Sequence, residues 1–383
     1  MPVTHVLDPN GDVTLILKDP DAAFAHGCLA PQQIYETETE TPSPSNFATN
    51  GTSFPPSSAN LEAEARAKHR ADDASLSSSS TEIRFQVSSA HLILASPVFK
   101  SALTGSWKES VEFKTKGTVE LVAIGWNEEA LLVFLRIIHC MPLELPDKMP
   151  LEALAKLAVV ADFYDCMKLI AFFADTWLTT ALAPDYDSLL DEDNDRFIPR
   201  NTLRLWVSWA FHQEDAFKTH SQHLISYARD SITPLGLPLP ETVIDAMNRH
   251  REAAIADTLN QLMAKKREIL TFKPGCDTEC KVRIRDALNK FLDKDRLHSV
   301  TAPYPDISQF NLALAAKNIL SRGWRVYHEN DSKKWRYHKC RHSKFSWIFK
   351  ELKYRIPGLD LKDLKPWYFS FDCSPDDYRG LAD

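Results

Sequence analysis

The sequence predicts an α+β fold: a small domain of strands and helices, then an α-helical region, then a small C-terminal α+β module. Two stretches of the first domain alternate between apolar and polar residues, as half-buried strands do, and the segments after them carry apolar residues at helical spacing. Near residue 272 a helix-rich stretch gives way to short segments rich in aromatic residues, basic residues, cysteine and histidine. These changes of pattern set the predicted boundaries.

The two predicted strands of the first domain are far apart in the chain. Val13 to Leu17 follows a Gly-Asp turn, and Ile83 to Val87 alternates apolar with polar residues. From about residue 37 to 81 the sequence is rich in serine and proline, so we expect that segment to be disordered. Closing a flexible loop of this length costs on the order of a few kcal/mol. The segment is therefore predicted to be an insertion within one domain, across which the two strands pair.

Short helices and strands are predicted to complete the first domain. His91 to Leu103 has a helical pattern that Pro97 interrupts, and further short strands are predicted at 111–113 and 118–122. Asn127 is the expected N-cap of the next helix, because acidic residues follow it in the first turn. One face of that helix carries Leu131, Phe134, Leu135 and Ile138. Helices over 151–161 and 167–178 close the domain.

The region from 199 to 272 is predicted to be helical. Its apolar faces carry Leu203, Leu205, Trp206, Trp209, Ala210 and Phe217. Prolines at 234, 238 and 240 divide the region, and a long helix is predicted from Glu241 to Leu270. Residues 273–383 form the predicted C-terminal module.

The order of motifs in residues 11–182 is more specific than any one of them. Phe85-x-Val87 leads into Ser89-Ala-His91-Leu-x-Leu-x-Ser96-Pro97-Val-Phe99, and Trp107-Lys-Glu-Ser110, the helix 130–138 and Ala158-Val-Val-Ala-Asp-Phe-Tyr164-Asp-Cys166 follow. This order resembles that of a BTB/POZ domain. The Tyr-Asp-Cys form, together with Phe172-Phe-Ala-Asp-Thr-Trp177, is most similar to the large fungal group of BTB proteins.

The resemblance implies protein–protein interaction without catalysis. The expected partner is another BTB copy or a cullin, and the implied role is that of a scaffold or a ubiquitin-ligase substrate adaptor. Residues 96–110 and 135–166 would form the adaptor surface. Because only Met1 to Gly11 precede the first strand, we expect the N-terminal segment that many BTB dimers exchange to be absent.

Composition excludes several other classes of protein. The formal net charge of −7 over 383 residues argues against general nucleic-acid binding, and no motif of a nucleotide enzyme, hydrolase or metalloprotease occurs. Seven scattered cysteines do not suggest a disulfide framework, so we expect an intracellular protein, cytoplasmic or nuclear. No membrane span or signal peptide is expected.

His91 is interpreted as a structural histidine that caps a turn.

The C-terminal cysteines and histidines are candidate metal ligands. Cys276, Cys280, His338 and Cys340 offer two close pairs of ligands that zinc accepts. The resemblance to fungal BTB proteins implies the same set, because those proteins often have a Cys-x3-Cys segment followed later by His-x-Cys. The spacing differs from the common zinc patterns. Buried cysteines and a histidine of a basic segment are the alternative reading.

The segment 322–355 interleaves basic and aromatic residues. Such a surface suits phosphate contacts and base stacking, so a nuclear regulator that binds nucleic acid is the alternative function. The same composition also fits a small domain with an aromatic core and a basic surface.

Overall fold

A small sheet and the helices packed on one of its faces form the N-terminal part of the molecule. The computed structural model describes residues 3–22, 24, 82–183, 194–271, 278–294, 296–319, 324–328, 334–338 and 356–365. These residues form a mostly helical α+β fold with a four-stranded sheet, which confirms the predicted class at that level.

The four strands have the order β1-β3-β2-β4. Their bounds are β1 (His5–Val6), β2 (Val13–Lys18), β3 (Ile83–Val87) and β4 (Val119–Ile124). β2 pairs antiparallel with β3, with Leu15 opposite Phe85, and parallel with β4. The predicted pairing across the insertion is therefore confirmed. The disorder predicted for 37–81 lies outside the described residues.

Six α-helices follow β3 up to residue 181, with β4 between the third and the fourth, and a 3-10 turn (Pro142–Glu144) lies after the fourth. They are α1 (Ser89–Ala95), α2 (Pro97–Thr104), α3 (Lys108–Lys116), α4 (Glu128–Ile138), α5 (Leu151–Phe163) and α6 (Met167–Ala181). Pro97 occupies the first turn of α2, where a missing N–H costs nothing, so the predicted interruption is confirmed. The Asn127 side chain accepts a hydrogen bond from the Ala130 N–H at 3.0 Å, which confirms the predicted N-cap.

The strand predicted at 111–113 is wrong, because these residues belong to α3. Three alternating residues fit a strand or a helix equally well, and the residues after them decide. Gly117 ends the helix in the left-handed conformation with φ of 73°, a C-terminal signal that glycine provides at low steric cost. The side chain of Val111 is 57% exposed, so the alternation does not mark a buried face.

The later part of the chain is mostly helical. Its elements are α7 (Asn194–Ala210), α8 (Glu214–Tyr227), α9 (Glu241–Thr271), α10 (Thr278–Lys294), α11 (Gln309–Lys317), the hairpin β5 (Trp324–His328) and β6 (Lys334–His338), and α12 (Leu361–Leu364). α9 ends one residue beyond the predicted Leu270, so the long helix is confirmed. None of the described helices combines the length and the apolar character needed to cross a bilayer.

Two hydrophobic cores share the long helix α9. The first joins one face of the sheet to helices α1–α8, and it includes Val243 and Met247 near the start of α9. The second begins at Ile255 in the same helix and continues into α10 and α11. Apolar packing therefore runs across the predicted boundary near residue 272, which falls just after α9 ends.

Candidate protein-interaction surface

Exposed apolar side chains are concentrated on the helices that follow the sheet. Among the described residues, the large apolar side chains exposed between β3 and α7 on helices and loops are Leu94, Val98, Trp107, Val111, Leu143, Phe163 and Phe172. Trp107 is 62% exposed. Several exposed apolar side chains on neighbouring elements mark an interaction site more often than a lone exposed side chain does. We call Leu94, Val98, Trp107 and Val111 the α1–α3 surface.

The turn between α2 and α3 fixes the position of Trp107. The Ser110 hydroxyl donates to the Gly105 carbonyl at 2.5 Å, and the Lys114 ammonium donates to the same oxygen at 3.3 Å. A Cβ atom at Gly105 would lie 2.5 Å from the Ser101 carbonyl oxygen, so the turn requires glycine there. The Val111 N–H donates to the Trp107 carbonyl at 3.1 Å, which places these two apolar residues one helical turn apart.

The junction of α1 and α2 is seated on the turn between α5 and α6. The Ser96 hydroxyl donates to the Tyr164 carbonyl at 2.6 Å and accepts from the Phe99 N–H at 3.2 Å. The Phe99 and Tyr164 rings stack with centroids 4.3 Å apart. The Cys166 thiol donates to the Ala95 carbonyl at 3.3 Å, and burial raises the pKa of this thiol to about 11. These contacts hold the α1–α3 surface in a fixed position relative to the turn between α5 and α6.

The turn-capping role expected for His91 belongs to His139. The Ser88 N–H donates to Nε2 of His139 at 3.0 Å, so Nδ1 carries the proton and donates to the Leu135 carbonyl at 2.8 Å. His91 stacks on the His139 ring at 5.0 Å, and its buried Nδ1 has no hydrogen-bond partner among the described residues. Burial lowers the pKa of His139, which keeps this ring neutral and able to accept the bond.

A carboxylate from before the insertion caps the helix that follows it. Asp12 Oδ1 accepts from the Ser89 N–H at 2.7 Å, and Oδ2 accepts from the Ser89 hydroxyl at 2.6 Å. Because Val13 lies opposite Val87, the residues flanking these two are neighbours. This cap was not predicted from the sequence, although a carboxylate just before one strand and a serine just after its partner are a signal for it.

The predicted zinc ligands are only partly within the described residues. Cys276 and Cys340 lie outside them, and His338 ends β6. Cys280 is buried in the second core against apolar residues of α9 and α10. The described part of the chain contains no group of three or more cysteine, histidine or acidic side chains placed to hold a metal ion. The zinc site stays a prediction.

The basic and aromatic segment 322–355 is described at 324–328 and 334–338. These residues form an antiparallel hairpin in which Tyr327 lies opposite Trp335 and Arg325 lies opposite Tyr337. Two residues separate these pairs along each strand.

No protein-family model, curated protein or solved structure matches this chain.

Proposed function

We propose that this chain is a non-enzymatic interaction protein that binds a protein partner through a BTB/POZ-like domain formed by residues 11–182. The observation that carries the proposal is the pairing of β2 with β3 across the insertion, with β4 parallel to β2. This pairing brings the motifs on both sides of the insertion into one sheet. The helices that carry the remaining motifs follow this sheet along the chain. The α1–α3 surface follows from that order.

A cullin-type scaffold is the partner we propose, in a ubiquitin-ligase adaptor role. The exposed Trp107 supports it, because large aromatic side chains dominate the binding energy of many protein interfaces. Neighbouring Lys108 and Lys114 give the rim of this surface a charged character, as interface rims commonly have. A second copy of the chain is the competing partner.

The test is a pull-down of purified cullins by the full chain, followed by titration. Val111→Asp should weaken cullin binding at least about tenfold, because a charged group would be buried in an apolar contact. Val282→Asp is the matched control, since it alters another exposed valine on a helix, α10. Failure of every cullin to bind, or equal loss with both variants, would sink the adaptor role. A dimer dissociated by Val111→Asp would assign the surface to self-association instead.

Nucleic-acid binding by the C-terminal module is the second candidate, favoured by the register of the hairpin, which pairs Tyr327 with Trp335 and Arg325 with Tyr337. Aromatic residues beside a cationic one on a β-ribbon suit the stacking of unpaired bases. The full chain should then bind single-stranded RNA or DNA with an affinity that falls steeply as salt rises. Tyr327→Ala with Trp335→Ala should reduce that affinity. Absence of binding at low salt would remove this candidate.

A further inference from the structure

A short segment near the C-terminus lies against α8. Residues 356–365, which we call the strap, include α12 and place Ile356, Leu359 and Leu361 in the first hydrophobic core. These three side chains are no more than 5% exposed. The apolar residues of the strap therefore pack among helices that lie well over a hundred residues earlier in the sequence.

Side chains of α8 hydrogen-bond to the main chain of the strap. The Gln222 amide donates to the Ile356 carbonyl at 2.7 Å, and the Leu359 N–H donates to the Ser221 hydroxyl at 2.9 Å. Gly358 passes so close to α8 that a Cβ atom there would lie 1.8 Å from the Lys218 carbonyl oxygen. The groove thus binds the main chain of residues 356–360, which have no regular secondary structure, and requires glycine at one position.

Charged groups hold the C-terminal half of the strap. Lys362 pairs with Glu214 at 3.0 Å, and Asp360 lies 3.8 Å from the Lys218 ammonium. The Lys365 ammonium donates to the Trp209 carbonyl at 3.1 Å, lies 4.1 Å from the centre of the Trp209 ring and is 3.3 Å from Nε2 of His212. The strap is therefore bound in one direction.

We infer that the groove on α7 and α8 is a peptide-binding site that the chain fills with its own strap. None of the contacts above requires the strap to be covalently joined to the groove. Buried apolar anchors, main-chain hydrogen bonds and flanking charges are how extended peptides are recognised in general. The ligand class is a protein segment that places isoleucine, glycine and alternating leucines as the strap does, with acidic and lysine residues after the glycine.

The covalent link makes the strap a strong competitor for this groove. A tethered ligand acts at an effective concentration of about millimolar, so a free peptide reaches the groove when the tethered one is weakened. This site is independent of the α1–α3 surface, and its failure would leave the proposed cullin contact untouched.

The experiment uses the full chain and a fluorescent peptide with the sequence of residues 354–367. Wild type should bind this peptide at least about tenfold more weakly than Leu359→Asp, whose strap is expelled because an ionised side chain is costly to bury. Adding Gln222→Ala to Leu359→Asp should weaken peptide binding again. Gly358→Ala provides a second way to detach the strap without placing a charge in the core. No binding to either folded variant, or equal binding to variant and wild type, would overturn the inference.

A measurement on wild type keeps the test independent of the variants. Saturating peptide should accelerate amide hydrogen exchange at Leu359, because the displaced strap loses its bond to Ser221. Unchanged exchange at saturating peptide would overturn the inference. Peptide-free wild type should also remain monomeric in native mass spectrometry, and a dimer that the peptide dissociates would show that the strap is bound in trans between copies.

Discussion

Arg251 is fully buried, and its guanidinium binds backbone carbonyls from two loops. It donates to the Ala228 carbonyl at 3.1 Å, to the Pro303 carbonyl at 2.7 Å, to the Tyr304 and Ile307 carbonyls at 2.9 Å each, and to the Arg229 carbonyl. A guanidinium presents five N–H groups in a rigid plane, which suits this convergence of acceptors. The residue therefore joins the loop after α8 to the loop before α11.

Arg251→Met should destabilise the protein by about 3–5 kcal/mol, because several buried carbonyls lose their donor at once. Arg251→Lys should recover little, since an ammonium cannot reach acceptors spread over two loops. Urea unfolding followed by circular dichroism measures both changes. Arg249→Met, at an exposed position on the same helix, is the control and should stay within about 0.5 kcal/mol of wild type. A loss below about 1 kcal/mol at position 251 would contradict the bridging role.

A second buried polar group lies between α7 and α8. His220 Nδ1 is 3.1 Å from Asn201 Oδ1, and His223 Nδ1 is 3.4 Å from the same atom. Burial lowers the pKa of His220 to about 3, and the nearby Arg204 and His223 act in the same direction. Burial and Arg204 also lower the pKa of His223. Both rings are therefore neutral in the folded protein at neutral pH.

The free energy of unfolding should fall as pH drops from about 6.5 toward 3. In that window the unfolded chain binds a proton at His220 that the folded protein does not, so acid favours unfolding, by at most about 1.4 kcal/mol per pH unit for one proton. His220→Asn keeps an N–H near the Nδ1 position and should flatten the profile. His250→Asn, at an exposed site, should leave the slope unchanged. Identical slopes for wild type and His220→Asn would refute the assignment.

At the scale of elements, predictions from sequence succeed where the signal is local. The helix after Asn127 follows from its cap and from Leu131, Phe134 and Leu135 on one face, and Pro97 marks a break that the structure shows. The strand at 111–113 fails because three residues do not define a period and the deciding signal, Gly117, lies beyond them.

The α1–α3 surface is only partly predictable for the same reason. The resemblance predicts an adaptor surface at 96–110 and 135–166, which contains Val98 and Trp107, but the bonds that fix the α1–α3 surface join residues distant in sequence. Ser96 contacts the Tyr164 carbonyl, and His139 holds the turn at Ser88. The strap contacts are longer in range still, since the Gln222 bond to Ile356 spans 134 positions. Periodicity in a single sequence contains no information about such partners.

Ser96→Ala should cost about 2–3 kcal/mol of stability. The substitution removes the N-cap of α2 and leaves the Tyr164 carbonyl without its hydroxyl donor. Thermal unfolding of the variant measures the loss. Ser101→Ala is the matched control, because it changes an exposed serine within the same helix and should have little effect. Equal melting temperatures for the two variants would show that the α1–α2 junction is not held by Ser96.

At the scale of the whole molecule, α9 connects the two cores, and the strap packs on the first. α9 carries Val243 and Met247 into the first core and Ile255 and Leu262 into the second. The strap follows the second core in sequence and returns to the first. Arg251 lies between these two groups on α9 and binds both neighbouring loops. The parts of the chain that sequence composition separates are therefore coupled by packing, and we expect them to unfold together.

Shortening the insertion tests whether β2 and β3 pair independently of the segment that connects them. Leu17 lies opposite Ile83, so the ends of β2 and β3 are already adjacent and the connection between them need not be long. Replacing residues 26–80 with about 15 Gly and Ser residues should leave the fold intact and raise its stability by about 1 kcal/mol, because a shorter flexible loop costs less closure entropy. The replacement keeps Phe24, which packs against the first core. Denaturant unfolding and hydrogen exchange at Leu15 and Phe85 measure the result. A Gly/Ser linker of the original length is the control that separates length from composition.

Loss of cooperative unfolding in the short variant alone would show that β2 and β3 need the native length to pair. Loss of cooperative unfolding in both variants would instead assign a structural role to the native sequence of the insertion.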